Sequence, residues 1–284
     1  LSLYISIENA PLAGDIKTLR RGLARFNIER VPALLDLPDG SFALVLRDNG
    51  PILGGAVADF DWGWVFVDTL WVADSARGQG YGQRIMQAVE SYAAQRGAAG
   101  IYLFTTDFQA RPFYERCTYH LFGKNANRPR DHHTYYFYKT ALQTTTIDPQ
   151  IEIQNPPHSA DLRILEQGLL NHAAQVAPIK NEKLAIFLRD EQHTRGGIFG
   201  GTYWDWFDLH FLWVDATLRG QGYGRQLLQA AEIACRKRGV IGIVADTTSF
   251  QALPFFQAQG FRIFATLDNR PPGYESYFIQ KVLV

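Results

Sequence analysis

Leu70-Trp71-Val72-Ala73-Asp74-Ser75-Ala76-Arg77-Gly78-Gln79-Gly80-Tyr81-Gly82 returns later in the chain as Leu212-Trp213-Val214-Asp215-Ala216-Thr217-Leu218-Arg219-Gly220-Gln221-Gly222-Tyr223-Gly224. The offset is 142, half of the 284 residues, so the chain is a tandem duplication. In both copies an apolar run, read as a strand, leads through an arginine to three alternate glycines and then a helical stripe. Glycines so placed allow a tight turn and close backbone approach. The free N–H groups of the following helix then converge on one spot, where an anion, phosphate above all, is held.

The same offset extends outward. Trp62, Trp64 and Trp71 match Trp204, Trp206 and Trp213, so every tryptophan has a partner. Thr105-Thr106 matches Thr247-Thr248, and Asn127-Arg128-Pro129 matches Asn269-Arg270-Pro271. Near each N-terminus the offset becomes 146: Ile5, Ile7 and Gly22 pair with Ile151, Ile153 and Gly168. The polar stretch from Ala141 to Asp148 reads as a linker, giving domains at 1–141 and 149–284. Within one copy the order is β-α-β-β-β-α-β-α-β-β. Asp15 is placed to cap the first helix, with Leu19, Leu23 and Phe26 on one face. Asp48-Asn49-Gly50 reads as a hairpin turn. After the glycine loop, Ile85, Met86, Val89, Tyr92 and Ala93 form an apolar stripe that stops at Gly97. The fold class is α/β: a mixed, mostly antiparallel sheet with helices on both sides, present twice. The two copies are expected to pack through their sheets, as a monomer with internal pseudo-symmetry or as a homodimer.

Composition narrows the function. Lys plus Arg and Asp plus Glu are 28 each, giving a net charge of zero, and no basic run marks a nucleic-acid or membrane surface. No stretch is long and apolar enough to span a bilayer, and the N-terminus lacks the order of a signal peptide. Cys117 and Cys235 are not repeat partners and read as plain thiols in a reducing, cytoplasmic compartment. His132-His133 has no third ligand at a telling spacing, so no metal is expected.

The glycine spacing is neither the dinucleotide fingerprint nor a P-loop, which needs Gly-Lys-Ser/Thr. Arg-x-x-Gly-x-Gly, after a strand and opening a helix, resembles the pyrophosphate motif of the GNAT superfamily, the acyl-CoA-dependent N-acyltransferases. In each copy Phe-Gln-Ala-x-Pro-Phe, followed by Tyr114 or Phe256, is similar to the second motif of that family. The resemblance implies GNAT-like folds and acetyl-CoA as donor. It implies a pyrophosphate on Arg77, Gly78, Gln79, Gly80, Tyr81 and Gly82, and on Arg219, Gly220, Gln221, Gly222, Tyr223 and Gly224. The pantetheine arm is then expected along Leu70, Trp71 and Val72, and along Leu212, Trp213 and Val214.

An amine attacking a thioester needs a base for its proton and a means of protonating the thiolate. Strand alternation puts Phe66, Asp68 and Leu70 in one row, and Asp208, His210 and Leu212 in the other. By the resemblance these positions supply the base, so Asp68 is the candidate in the first copy and His210 with Asp208 in the second. An aspartate near pKa ~4 needs a dry site or a water relay, whereas an imidazole near ~6.5 is poised. Tyr114 matches the family's general acid. Phe256 replaces it in the second copy, where Tyr274, before the last strand, is the phenol expected to compensate. Trp62, Trp64, Trp204 and Trp206 are expected at the core or the interface. His132 and Tyr274, with Thr105 and Thr247, are possible cofactor or acceptor contacts. The function expected is N-acetyl transfer to a primary amine of a small molecule. The alternatives are an acyl-CoA-binding sensor and a protein or peptide N-acetyltransferase.

Overall fold

The computed structural model describes residues 2–48, 50–177 and 180–283. The first repeat runs β1 (Tyr4–Glu8), α1 (Ala13–Arg30), β2 (Gly40–Arg47), β3 (Ile52–Asp61), β4 (Trp64–Val72), α2 (Tyr81–Gln95), β5 (Gly100–Thr106), α3 (Arg111–Arg116), β6 (His120–Ala126) and β7 (His133–Thr140). The second runs β8 (Ile151–Gln154), α4 (Ser159–Ala174), β9 (Lys183–Arg189), β10 (Thr194–Tyr203), β11 (Trp206–Val214), α5 (Tyr223–Lys237), β12 (Gly242–Thr248), α6 (Leu253–Ala258), β13 (Arg262–Asp268) and β14 (Glu275–Val282). The element order is the expected one. Of the anticipated hairpin turn, Asn49 lies outside the described residues.

The strands form one 14-stranded sheet, ordered β1-β9-β10-β11-β12-β14-β13-β6-β7-β5-β4-β3-β2-β8. Exchanging each strand for its repeat counterpart reverses this order, so the sheet has an internal two-fold. The axis lies between β6 and β13, which meet in a single register pair, Gly123 opposite Ala265. A Cβ on Gly123 would stand 2.2 Å from that of Ala265, so only glycine admits the contact.

The outermost strands have changed places. β1 pairs with β9, and β8 pairs with β2. In consequence α1 packs on β10 and β11, and α4 packs on β3 and β4. Each half of the sheet thus carries the first strand and helix of the other repeat, so sequence repeats and sheet halves are cut differently. Two reciprocal clasps fix the exchange. Arg189 holds both carboxylate oxygens of Asp15 at 3.0 Å. Its counterpart Arg47 holds Asp161, itself the counterpart of Asp15. Asp15 therefore does not cap α1; the N-cap is Leu12, with no side-chain bond. A carboxylate held by a bidentate guanidinium gains more there than from a lone amide.

One face of the sheet is covered by α2 and α5, over two large apolar clusters. At the centre of the opposite face lies an aromatic cluster containing Trp64, Tyr102, Tyr136 and Phe278. The buried indole of Trp64 donates to Asn269 O at 2.9 Å, and that of Trp206 donates to Asn127 O at 2.7 Å, so both stitch one repeat to the other. Trp62 and Trp204 occupy hairpin turns with φ of 54° and 57°, off the strand face of Trp64 and Trp206. They contact Phe250 and Phe108 of the opposite repeat. The expected linker crosses α2, where Thr145 exchanges hydrogen bonds with Ser91 and Asp148 pairs with Arg84.

Candidate active site

β4 and β11 each deliver the chain into a glycine loop with the same geometry. Gly78 and Gly80 have φ of 76° and 83°, and Gly220 and Gly222 have 75° and 85°. A Cβ at any of the four would meet nothing within 4 Å, so backbone conformation rather than crowding selects glycine. Gly80 and Gly222 are the N-caps of α2 and α5, and no side chain caps either helix. The first bonds inside them come from Arg84 N to Gly80 O and from Gln226 N to Gly222 O. The leading amides at Tyr81 and Gly82, and at Tyr223 and Gly224, have no carbonyl partner within the helix, a geometry suited to an anion.

The loop arginines act partly on the protein itself. Arg77 donates Nε to Val72 O at 3.2 Å, and Arg219 donates Nε to Val214 O at 2.9 Å. Each bond pins the loop to the end of its strand. Arg77 also pairs with Asp74 at 2.7 Å, whereas Arg219 lies 4.7 Å from the ring centre of Phe26 on α1. Burial, and then Arg30, push the Arg219 guanidinium below its ordinary pKa. Gln79 and Gln221 donate to Ser75 O and Thr217 O, closing the turn.

Beside each loop the sheet opens. Among the described residues β4 pairs with β5 only at Val65 and Phe66, and β11 with β12 only from Trp206 to Asp208. Beyond these residues, one edge of Val67–Val72 and of Leu209–Val214 is free to bond an extended ligand. At the start of each opening the strand bulges. Val57 faces Thr69 while Ala58 faces Val67, which leaves Asp68 as the extra residue. In the second half Phe199 faces Phe211 and Gly200 faces Leu209, which leaves His210.

The bulge corrects the expected rows. Val65, Val67, Leu70 and Val72 all reach the core under α2, so side-chain parity flips at Asp68. Phe66 and Leu70 are on opposite faces, as are Asp208 and Leu212, because an inserted residue rotates the rest of the strand by one position. Asp68 and His210 are both exposed into their clefts. Desolvation by the crowded cleft raises the Asp68 carboxyl above the usual aspartate range. A hydrogen bond from Thr69 opposes this and the charge of Asp59 adds to it. Asp208 is placed differently: its carboxylate accepts from the buried Arg128 at 2.6 Å, across the two-fold. Burial raises its pKa, with Arg128 opposing.

Tyr114 is buried on α3 among Phe113, Tyr119 and Phe137, and that burial pushes its phenol well up. Phe256 takes the equivalent place on α6. Tyr274 packs edge-on against Phe250, on a loop rather than beside α6. Thr105 and Thr247 accept from the backbone N–H of Ala110 and Ala252, and so hold the turns into α3 and α6. His132 Nδ1 lies 2.9 Å from Asp107. Among the described residues no group of three His, Cys, Asp or Glu could hold a metal.

The exchanged helices complete the clefts, which local sequence signals did not reveal. Leu165 of α4 rests on Gly55, and Gly168 sits on the Trp71 indole. Leu19 of α1 rests on Gly197, and Gly22 sits on the Trp213 indole. Trp71 and Trp213 therefore turn their rings to a helix and offer only backbone to the splay. Glu166 of α4 interacts with Asp68, and Asn27 of α1 accepts from Gln251 at 2.8 Å. A hollow of about 780 Å3 lies under the linker, bordered by Arg84, Lys139 and Asp148, and contains none of the bulge or glycine-loop residues.

Residues 15–119 match the Acetyltransferase (GNAT) family, and residues 181–263 match the Acetyltransferase (GNAT) domain. Blasticidin-S acetyltransferase of Streptomyces morookaense is 34% identical over 137 residues, which are 48% of this chain and 97% of that protein. An acetyltransferase of Agrobacterium fabrum is 33% identical over 92 residues, covering 32% of this chain and 67% of the relative. Among solved structures, an acetyltransferase from Bacillus cereus has 26% identity and a TM-score of 0.42, covering 44% of this chain and 94% of that one.

Proposed function

Because the chain belongs to the GNAT acetyltransferase family and is an N-acetyltransferase, we propose that each half binds acetyl-CoA across its glycine loop and strand splay. A primary amine of a small molecule then enters the cleft under the exchanged helix. The observation that carries this reading is the conjunction, present twice, of an uncapped glycine N-terminus, a free strand edge and a bulged Asp68 or His210. The residues present suit the donor. Helix amides meet its pyrophosphate, and the free edge of Val67–Val72 or Leu209–Val214 pairs with the amide groups of its pantetheine arm.

The donor supplies an acetyl group activated as a thioester. Asp68 in the first cleft, or His210 in the second, takes a proton from the attacking ammonium, directly or through water. The freed amine adds to the carbonyl carbon, the adduct breaks its carbon–sulfur bond so that sulfur leaves with the electron pair, and the nitrogen releases its remaining extra proton to solvent. Backbone N–H at the splay, toward Val72 and Val214, stabilises the oxyanion. In this reading Tyr114, kept protonated by burial, is the proton source for the sulfur in the first half. We assign no base role to Asp208, whose oxygen is committed to Arg128. Calorimetric titration with acetyl-CoA tests the reading: up to two sites per chain are expected, with thiol release on adding amines. Absence of binding removes it.

A further inference from the structure

At matched positions of the two repeats the first cleft carries three carboxylates, and the second carries a guanidinium and none of them. The first holds Asp68 on the bulge, Asp59 on β3 and Glu166 on α4. The counterparts in the second are His210, Gly201 and Arg20. The settings are otherwise alike. Asp59 lies in register with Phe66, two residues before the bulge, and its charge reaches Asp68. Glu166 follows Leu165, which rests on Gly55, and precedes Gly168, which rests on Trp71, so α4 is locked over the cleft with Glu166 exposed on it. Arg20 follows Leu19, which rests on Gly197, and precedes Gly22, which rests on Trp213. Its guanidinium stands 6.0 Å from the ring centre of Phe211, the neighbour of His210. The tyrosine facing the first cleft, Tyr203, feels the same carboxylate: Asp68 helps raise its phenol to about 12, after burial.

Resting on the function proposed above, we infer that the two clefts take acceptors of opposite charge. The first accepts an amine carrying a second cationic group, held by Glu166 and Asp59 while Asp68 handles the reacting nitrogen. The second accepts an amine carrying an anionic group, held by Arg20. Glu166 and Arg20 are each contributed by the other repeat, through the exchanged helix, and Asp59 by β3 of the first repeat itself. Charge–charge contacts of this kind discriminate by favouring one partner and repelling the other. Asp59 is also bonded to Ser41, which fixes it in place.

The test uses full-length protein with one cofactor loop silenced by Gly222→Glu or by Gly80→Glu. Acetylation of propylamine, 1,4-diaminobutane and β-alanine is followed by thiol release. With the second loop silenced, the diamine should be preferred over β-alanine. Glu166→Gln should raise the KM for the diamine roughly tenfold, well beyond its effect on propylamine, and Glu166→Arg should favour β-alanine. With the first loop silenced, β-alanine should be preferred, and Arg20→Gln should abolish that preference. Titration of the same amines into coenzyme-saturated protein reads the same order where turnover is slow. The inference is overturned if both clefts rank the amines alike, if neither binds them, or if Glu166→Gln affects all three equally. Failure of acetyl-CoA to bind wild-type protein would instead remove the proposed function itself.

Discussion

Gly168 stands on the face of the Trp71 indole, and a Cβ there would lie 2.4 Å from Cε2 of the ring. The contact joins a helix of one repeat to a strand of the other, and it recurs as Gly22 on Trp213, where a Cβ would lie 2.2 Å away. Gly168→Ala and Gly22→Ala should each lift an exchanged helix from its strand and cost about 1–3 kcal/mol. Denaturant unfolding with unchanged midpoints would refute the tight seat. The Km for acceptor should rise more than that for acetyl-CoA, because the helix covers the acceptor side.

Gly80→Glu and Gly222→Glu, made separately, should each abolish one acetyl-CoA site. Each puts a side chain on a residue at φ near 85° and an anion where the phosphates are expected. Calorimetric stoichiometry checks this. An unaltered number of sites in both variants would show that the loops hold something else.

Asp68→Asn should lower turnover in the first cleft while leaving acetyl-CoA affinity in place. The folded pKa of Asp68 is raised. Its ionisation therefore costs stability, which is greatest below the ordinary aspartate value and falls as pH rises through the raised one. The Asn variant is spared that loss, so its melting temperature should match wild type near pH 3 and exceed it by a steady margin once pH is above the raised value. Parallel melting curves at all pH values would contradict the desolvated carboxylate.

The clasps have the opposite sign. Hydrogen bonds, first from Arg189 for Asp15 and from Gln154 for Asp161, hold both carboxyls below the usual aspartate range. Their contribution is complete above the unfolded value and disappears as pH falls through the folded ones. Asp15→Asn should cost about 1.5–3 kcal/mol at neutral pH, and much less below pH 3. Chemical denaturation at the two pH values measures the difference.

Residues 1–148 expressed alone should not form a closed single unit in this arrangement, because β1 and α1 rest on strands of the second repeat. The expected product is a dimer that exchanges β1 and α1 between copies. A stable monomer by sedimentation, with native-like acetyl-CoA binding, would show that the exchange is dispensable.

The duplication, the element order and the glycine loops were legible in the residues alone, because each depends on neighbours in the chain: alternation, a helical stripe, a turn only glycine makes. The bulges at Asp68 and His210 were not legible. A bulge is defined by the register of the opposing strand, and the order of residues in Phe66–Leu70 does not state that register. Nor did local pattern reveal Glu166 and Arg20 as cleft residues, since each belongs to a helix whose partner strand lies about a hundred or more residues away along the chain. Asp208 looked equivalent to a base until tertiary structure brought Arg128 to its carboxylate.

Sequence by itself determined what each repeat is, since local backbone preference and burial period are written residue by residue. Which repeat each first strand and helix serves was decided only in the folded molecule. Both edges offer the same hydrogen-bonding groups and nearly the same apolar face, so the choice rests on long-range contacts such as Arg189 with Asp15 and Trp71 with Gly168.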